Sequence, residues 1–194
     1  MNIGLTGGMG CGKSTALAVF AAEGAVVMDA DAEAKRFLDE DIPLQSALVD
    51  RFGREVLTAE GKVDRRFLAS TVFANPEALA ALESLVHPRV RSRWMQEAAQ
   101  GHPVFVVEIP LLFEKSLESH FDHTVCLSSH PEIQRTRLLA RGMNLSEIKK
   151  RSERQLSIEA KCRRADTVLH NDGDREHLKH QICYLLSQLR GFHP

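Results

Sequence analysis

Residues 7–14 read Gly7-Gly8-Met9-Gly10-Cys11-Gly12-Lys13-Ser14, the spacing G-x-x-x-x-G-K-[ST]. The run follows the apolar stretch Asn2–Thr6 and precedes Thr15–Ala22, which has the composition of a helix. A glycine-rich turn between a buried strand and a helix commits the start of the chain to a strand–crossover layout. Glycines let backbone N–H groups converge on phosphate oxygens with no Cβ in the way. The helix that follows offers unpaired N–H groups and a partial positive charge to the same oxygens. In that setting Lys13 reaches the β- and γ-phosphates and the Ser14 hydroxyl joins a Mg2+ shell. Gly8, Met9, Gly10, Cys11, Gly12 and Thr15 complete the cradle, so ATP and Mg2+ are the expected cofactors. Cys11 reads as a small residue tolerated in the loop, although a helix N-terminus can lower a thiol pKa.

Four more short apolar stretches, Ala25–Asp29, Val104–Glu108, Thr124–Leu127 and Thr167–His170, are separated by segments long enough to hold helices. Short buried strands alternating with helices predict an α/β fold with a five-stranded parallel sheet. Two gaps exceed a single crossover. Residues 38–103 contain amphipathic stretches such as Pro76–Val86, and residues 129–164 are strongly charged; they are expected to form a helical insertion and a lid. The nucleotide-binding core is then 1–37, 104–128 and 165–194. Leu178, Ile182, Leu185, Leu186 and Leu189 recur at helical spacing, which packs a final helix over Arg175–Leu189 against the sheet.

With 194 residues, 25 Lys+Arg and 26 Asp+Glu, the chain has the size of one domain with insertions and no general basic character. Its 43% hydrophobic content excludes a mostly disordered or collagen-like chain. Cys11, Cys126, Cys162 and Cys183 form no CxxC pair, which argues against a disulfide framework or a zinc site of usual spacing. No opening signal segment and no membrane-length apolar run is apparent, so the expected location is the cytoplasm.

A phosphate loop does not name the reaction. No guanine-reading Asn-Lys-x-Asp occurs, and Asp50-Arg51-Phe52-Gly53 follows a helical pattern, unlike a GTPase switch. Small size plus inserted helices suits a kinase that closes over a small molecule. The strand Ala25–Met28 runs into Asp29-Ala30-Asp31 at the sheet edge where α/β ligands bind. These acids can hold Mg2+, take a proton from an acceptor hydroxyl, or cap a helix over Ala32–Leu38. Glu108 can act through metal-bound water or pair with an arginine. Residues 135–164 carry ten basic and three acidic side chains. An arginine-bearing lid over a triphosphate is expected from that bias. No aromatic residue interleaves with these basic residues, which argues against nucleic-acid binding.

With these residues placed, the chain resembles the dephospho-CoA kinase family nearly end to end. The opening Ile3–Thr15, the D-A-D element Asp29–Asp31, and Phe52-Gly53, Gly61–Arg65 and Leu85–Arg91 follow that family's order. So do Pro110-Leu111-Leu112-Phe113-Glu114 and the series Gln155, Lys161, Ala165–Gly173. The resemblance implies a three-layer P-loop kinase fold and phosphorylation of the ribose 3′-hydroxyl of dephospho-CoA by ATP. It implies Asp31 as base, Arg65, His87 and Arg91 on the acceptor side, Arg141 on the lid, and Asn171 to Gly173 near the adenine. The lid departs from the pattern, since Gly142-Met143 follows Arg141, and Arg137 can serve instead. His87 also reads as one half of a His-Pro pair ending a helix. The nearest rival is another small-molecule P-loop kinase, acting on a nucleoside monophosphate or a sugar acid. A monomer or weak homo-oligomer is expected.

Overall fold

The computed structural model describes residues 1–191. Strands β1 (Asn2–Gly7), β2 (Val26–Asp29), β3 (Phe105–Glu108), β4 (His123–Ser128) and β5 (Thr167–His170) form one parallel sheet. Their spatial order is β2-β3-β1-β4-β5, and each bound lies within one residue of an expected stretch. The strands are short and mostly apolar because helices cover both faces, which removes the alternation of a half-exposed sheet.

On one face, Ile3, Leu5, Val106, Val125, Leu127 and Leu169 join a single buried cluster. Ala16, Leu17 and Phe20 of α1 (Lys13–Ala22) and Leu178 and Ile182 of α9 (Arg175–Gly191) complete it. Burying each such large side chain is worth about 1.5–3 kcal/mol. The intervening positions face the other way, because side chains alternate along a strand. There α8 (Ile158–Arg164) packs against β1 and β4, and Cys162 Sγ lies 3.7 Å from Cys126 Sγ. All four cysteines are free thiols. Two further helices, α6 (Pro131–Ala140) and α7 (Leu145–Ser152), precede α8. Helix α7 opens on a capping box in which Asn144 and Glu147 exchange side-chain and backbone hydrogen bonds.

Asp166 fastens β5 to β4. Its Oδ2 accepts from the Thr124 amide (2.8 Å) and hydroxyl (2.7 Å), while its own amide donates to Thr124 Oγ1 (3.0 Å). The Thr124 hydroxyl bond holds the Asp166 carboxyl below the usual range, against the opposing effect of burial. A depressed folded-state pKa adds stability above the unfolded value and loses it as pH falls through the folded one. Asp166→Ala is therefore expected to cost about 1 kcal/mol near neutrality. The Tm gap to the parent should close as pH drops below about 4; a gap that is constant with pH would remove the carboxylate from this account.

The chain divides into two compact units, 1–29 with 101–194, and 30–100. The second unit comprises α2 (Ala30–Glu40), α3 (Ile42–Phe52), α4 (Arg65–Ala74) and α5 (Pro76–Ala98), with a short antiparallel bridge between Leu57 and Val63. Each of the last three helices has a side-chain cap written in the sequence. Asp41 accepts from Leu44 N, Asp64 from Arg66 N and Phe67 N, and Asn75 from Glu77 N. Leu44, Leu48, Leu68, Val86, Val90 and Trp94 are among its buried side chains. Helix α2 begins at Ala30, directly after β2, and not at Ala32; Asp31 therefore lies inside the first helical turn.

The reading of His87-Pro88 as a helix end is corrected. Helix α5 runs for 23 residues through Pro88. The proline removes from the ladder the amide that would donate to Ser84 O, and in the same turn Arg89 Nη1 donates to Leu85 O (2.7 Å). Among the described residues no helix is long and apolar enough to cross a membrane.

Candidate active site

The phosphate loop joins β1 to α1, as the spacing predicts. Gly12 is the N-cap of α1 in the left-handed region, with φ 88° and ψ 32°. A Cβ built there would collide with the Asn171 side-chain amide, so both conformation and space demand glycine. Gly10, at φ 75°, is pressed against helix α6, where a Cβ would sit 2.7 Å from Gln134 O.

The loop carbonyls are tied into the protein. Asn171 Nδ2 donates to Cys11 O (2.7 Å), Arg137 Nη1 to Gly10 O (3.4 Å), and Lys13 Nζ to Gly8 O (3.1 Å). The amides of Gly10, Gly12, Lys13 and Ser14 donate to no described residue. Carbonyls engaged by the protein and amides left over are what an anion-binding turn at a helix start requires. Burial pushes the Cys11 thiol up and so disfavours the thiolate, against the opposing charge of Lys13.

Asn171 and Arg137 belong to a network at the ends of β4 and β5 whose buried members are Asn171 and Ser129. Arg137 also donates to Asn171 O (3.0 Å) and Ser129 Oγ (3.3 Å). Asp172 Oδ1 lies 2.5 Å from the His130 amide and 2.9 Å from Ser129 Oγ. The His130 amide holds the Asp172 carboxyl below the usual range, against the opposing effect of burial. Gln134 Nε2 donates to Ser129 O (2.5 Å). Ser129, Gln134 and Asp172 support the loop and were not legible as such, because nothing in their spacing brings β4, β5 and residues 10–12 together. Arg141, by contrast, caps the end of α6 through its amide, which donates to Leu138 O (3.2 Å), while its exposed side chain makes no hydrogen bond or ion pair to a described residue. Gly173 lies beside His177 at the start of α9.

Asp29 and Glu108 end β2 and β3 as register partners. Glu108 is 8% exposed and Asp29 half-buried, while Ser14 is exposed in the first turn of α1. Among the described residues no group of three His, Cys, Asp or Glu can hold a metal by itself. An oxygen-only set of one hydroxyl and one or two carboxylates still fits Mg2+, which normally takes few protein ligands beside phosphate oxygens.

A cavity of about 240 Å3 opens beside Gly8 and Met9 and is walled by Leu138 of α6, Ile148 of α7, Ile158 of α8 and Leu156 from the segment between α7 and α8. It sits just below the roughly 300 Å3 at which small-molecule pockets begin. Of the basic residues expected on a lid, Lys149, Lys150 and Arg151 are exposed on α7, and Lys161 is completely buried.

In the second unit, Asp31 is an exposed acid in the first turn of α2. His87 and Arg91 are exposed one helical turn apart on α5, and so share a face. Arg65 starts α4 and is engaged by Asp39 and, at 3.3 Å, by Lys35 O.

Comparison with known proteins decides among the kinases that share such a loop. The family model described as "Dephospho-CoA kinase" matches residues 1–177. The chain belongs to the dephospho-CoA kinase family. A dephospho-CoA kinase from Anaeromyxobacter dehalogenans is 41% identical over 97% of this chain and 92% of its own length. A crystal structure from Thermus thermophilus superposes with a TM-score of 0.81 at 36% identity, covering 97% of each chain. The dephospho-CoA kinase of Campylobacter jejuni gives 0.73 at 27% identity, covering 98% of this chain and 97% of its own. The five-stranded parallel sheet and the phosphate loop are thus those of a dephospho-CoA kinase, a phosphotransferase that uses ATP and acts in coenzyme A biosynthesis.

Proposed function

We propose that the chain transfers the γ-phosphoryl group of ATP to the ribose 3′-hydroxyl of dephospho-CoA, with Mg2+ as the accompanying ion, in the cytoplasm. The observation that carries this reading is the loop at residues 8–14, whose carbonyls at Gly10 and Cys11 are held by Arg137 and Asn171. In the transfer, the bond from O3′ to Pγ forms and the bond from Pγ to the ADP oxygen breaks. The hydroxyl proton passes to Asp31. Such transfers go through a loose transition state, so orienting the hydroxyl counts for more than a raised carboxylate pKa.

Lys13 and the amides of Gly8 to Thr15 neutralise the β- and γ-oxygens. Ser14, Asp29 and Glu108 are the residues that would hold Mg2+, which would offset the negative charge of the phosphates. His87 and Arg91 take the acceptor, supported by their shared face on α5. Arg65 joins them by leaving Asp39, an exposed pair worth less than about 1 kcal/mol. Asn171 and Gly173 border the adenine. Arg137 serves the loop through three protein acceptors, which leaves the exposed Arg141 as the lid residue for ATP phosphates.

The test is ADP release from purified protein with Mg-ATP, with and without dephospho-CoA, the product being weighed by mass spectrometry. Release that requires dephospho-CoA and yields CoA is the expected result. Equal release without the acceptor, or none, would sink the reading.

A further inference from the structure

The lid helix α8 contributes one charged side chain that never reaches solvent. The Lys161 side chain is 0% exposed. Its Nζ donates to Pro110 O (2.5 Å), in the segment that follows β3, and pairs with Glu114 Oε1 at 2.9 Å. Burial lowers the tendency of Lys161 to hold its proton and nearby Lys13 adds to that, whereas Glu114 and, more weakly, Cys126 oppose it.

Both partners of Lys161 have second contacts, and these point to the site. Pro110 O also accepts from Thr6 Oγ1 (3.2 Å), on the strand that leads directly into Gly7 and Gly8. Glu114 Oε1 also accepts from Leu156 N (2.8 Å). Leu156, with Ser157 and Ile158, forms the wall of the cavity beside Gly8 and Met9. One ammonium group therefore connects the end of β1, the segment after β3 and the far wall of the cavity.

A buried pair of this kind is a poor device for stability alone. Desolvating both ions cancels most of their attraction, and apolar replacements are often as stable. Its geometry is specific, however: one buried ammonium donates to the Pro110 carbonyl and the Glu114 carboxylate at once.

We propose that Lys161, held by Glu114, is a positioning residue. It sets the lid-side wall of the cavity against the strand that carries the phosphate loop, and touches no substrate itself. The inference rests on the phosphoryl-transfer reading of the loop and adds to it a buried residue outside the P-loop motif.

The test compares Lys161→Met, Glu114→Gln and the double variant with the parent, measuring kcat, KM for ATP and Tm. Each single variant leaves one buried group uncompensated and should lower Tm; the double variant should recover most of that loss. All three should keep KM for ATP within about threefold while kcat falls by about 10- to 100-fold, the scale of a misplaced reacting group. Recovery of kcat along with Tm in the double variant would make the pair purely structural and overturn the proposal. So would a loss of kcat fully matched by the lost folded fraction, or parent-like kcat in a folded single variant. A parent protein that makes no CoA would instead sink the reaction itself, so the two failures are told apart.

Discussion

Replacing Lys13 with alanine is expected to lower kcat by about 10^3-fold or more, which is about 4 kcal/mol or more of barrier. Lys13 opens α1 and its ammonium lies 3.1 Å from Gly8 O, so it stands at the rim of the loop in a position to follow the phosphates. In phosphoryl transfer there is little covalent chemistry for the protein to do, and fixed charge at the migrating group is the main contribution. The substitution removes that charge and one tie on the loop, yet no apolar packing. Tm should therefore fall little, and kcat measured by coupled ADP release should fall greatly. Near-normal turnover in a folded Lys13→Ala protein would refute the phosphate-loop assignment. Lys13→Arg should not rescue it, because a planar fork does not reproduce a compact ammonium at a close-packed turn.

Asp31→Asn is expected to cut kcat by about 10^2- to 10^4-fold while leaving KM for ATP nearly intact. The acid is exposed in the first turn of α2, two residues beyond Asp29, where the helix start also favours a negative charge. Asparagine keeps the size and one acceptor oxygen but cannot take the hydroxyl proton. The helix-start charge contributes only about 0.3–1 kcal/mol, too little for the expected kcat loss. The split between kcat and KM carries the information. A rise in KM for ATP at unchanged kcat would move Asp31 out of the proton-accepting role and towards the metal.

The sheet was legible from the chain because its strands are short apolar runs with clear breaks, and the phosphate loop because its chemistry is local. Helix ends were less legible. The D-A-D element read as the end of a strand with a helix starting at Ala32, but α2 already starts at Ala30, which is as acceptable in a helix as at its edge. Helix α5 passes Pro88 because packing of Val86, Val90 and Trp94 on either side outweighs the lost amide bond. Lys161 sat among ten basic residues of one segment, and nothing in a charge count separates a buried lysine from its solvated neighbours. Only the pairing of α8 with the segment after β3 does. The same holds for Arg137: its reach to Gly10 O spans 127 residues of chain, a contact that no local pattern encodes.

The crowding of Gly12 by the Asn171 amide has a further reach. Positions 12 and 171, far apart in the chain, cannot drift independently. Any descendant of this sequence that gained a side chain at 12 would first have to shed the amide at 171, and with it the bond to Cys11 O. An asparagine at the exit of the last strand is in that sense part of the loop's own inheritance.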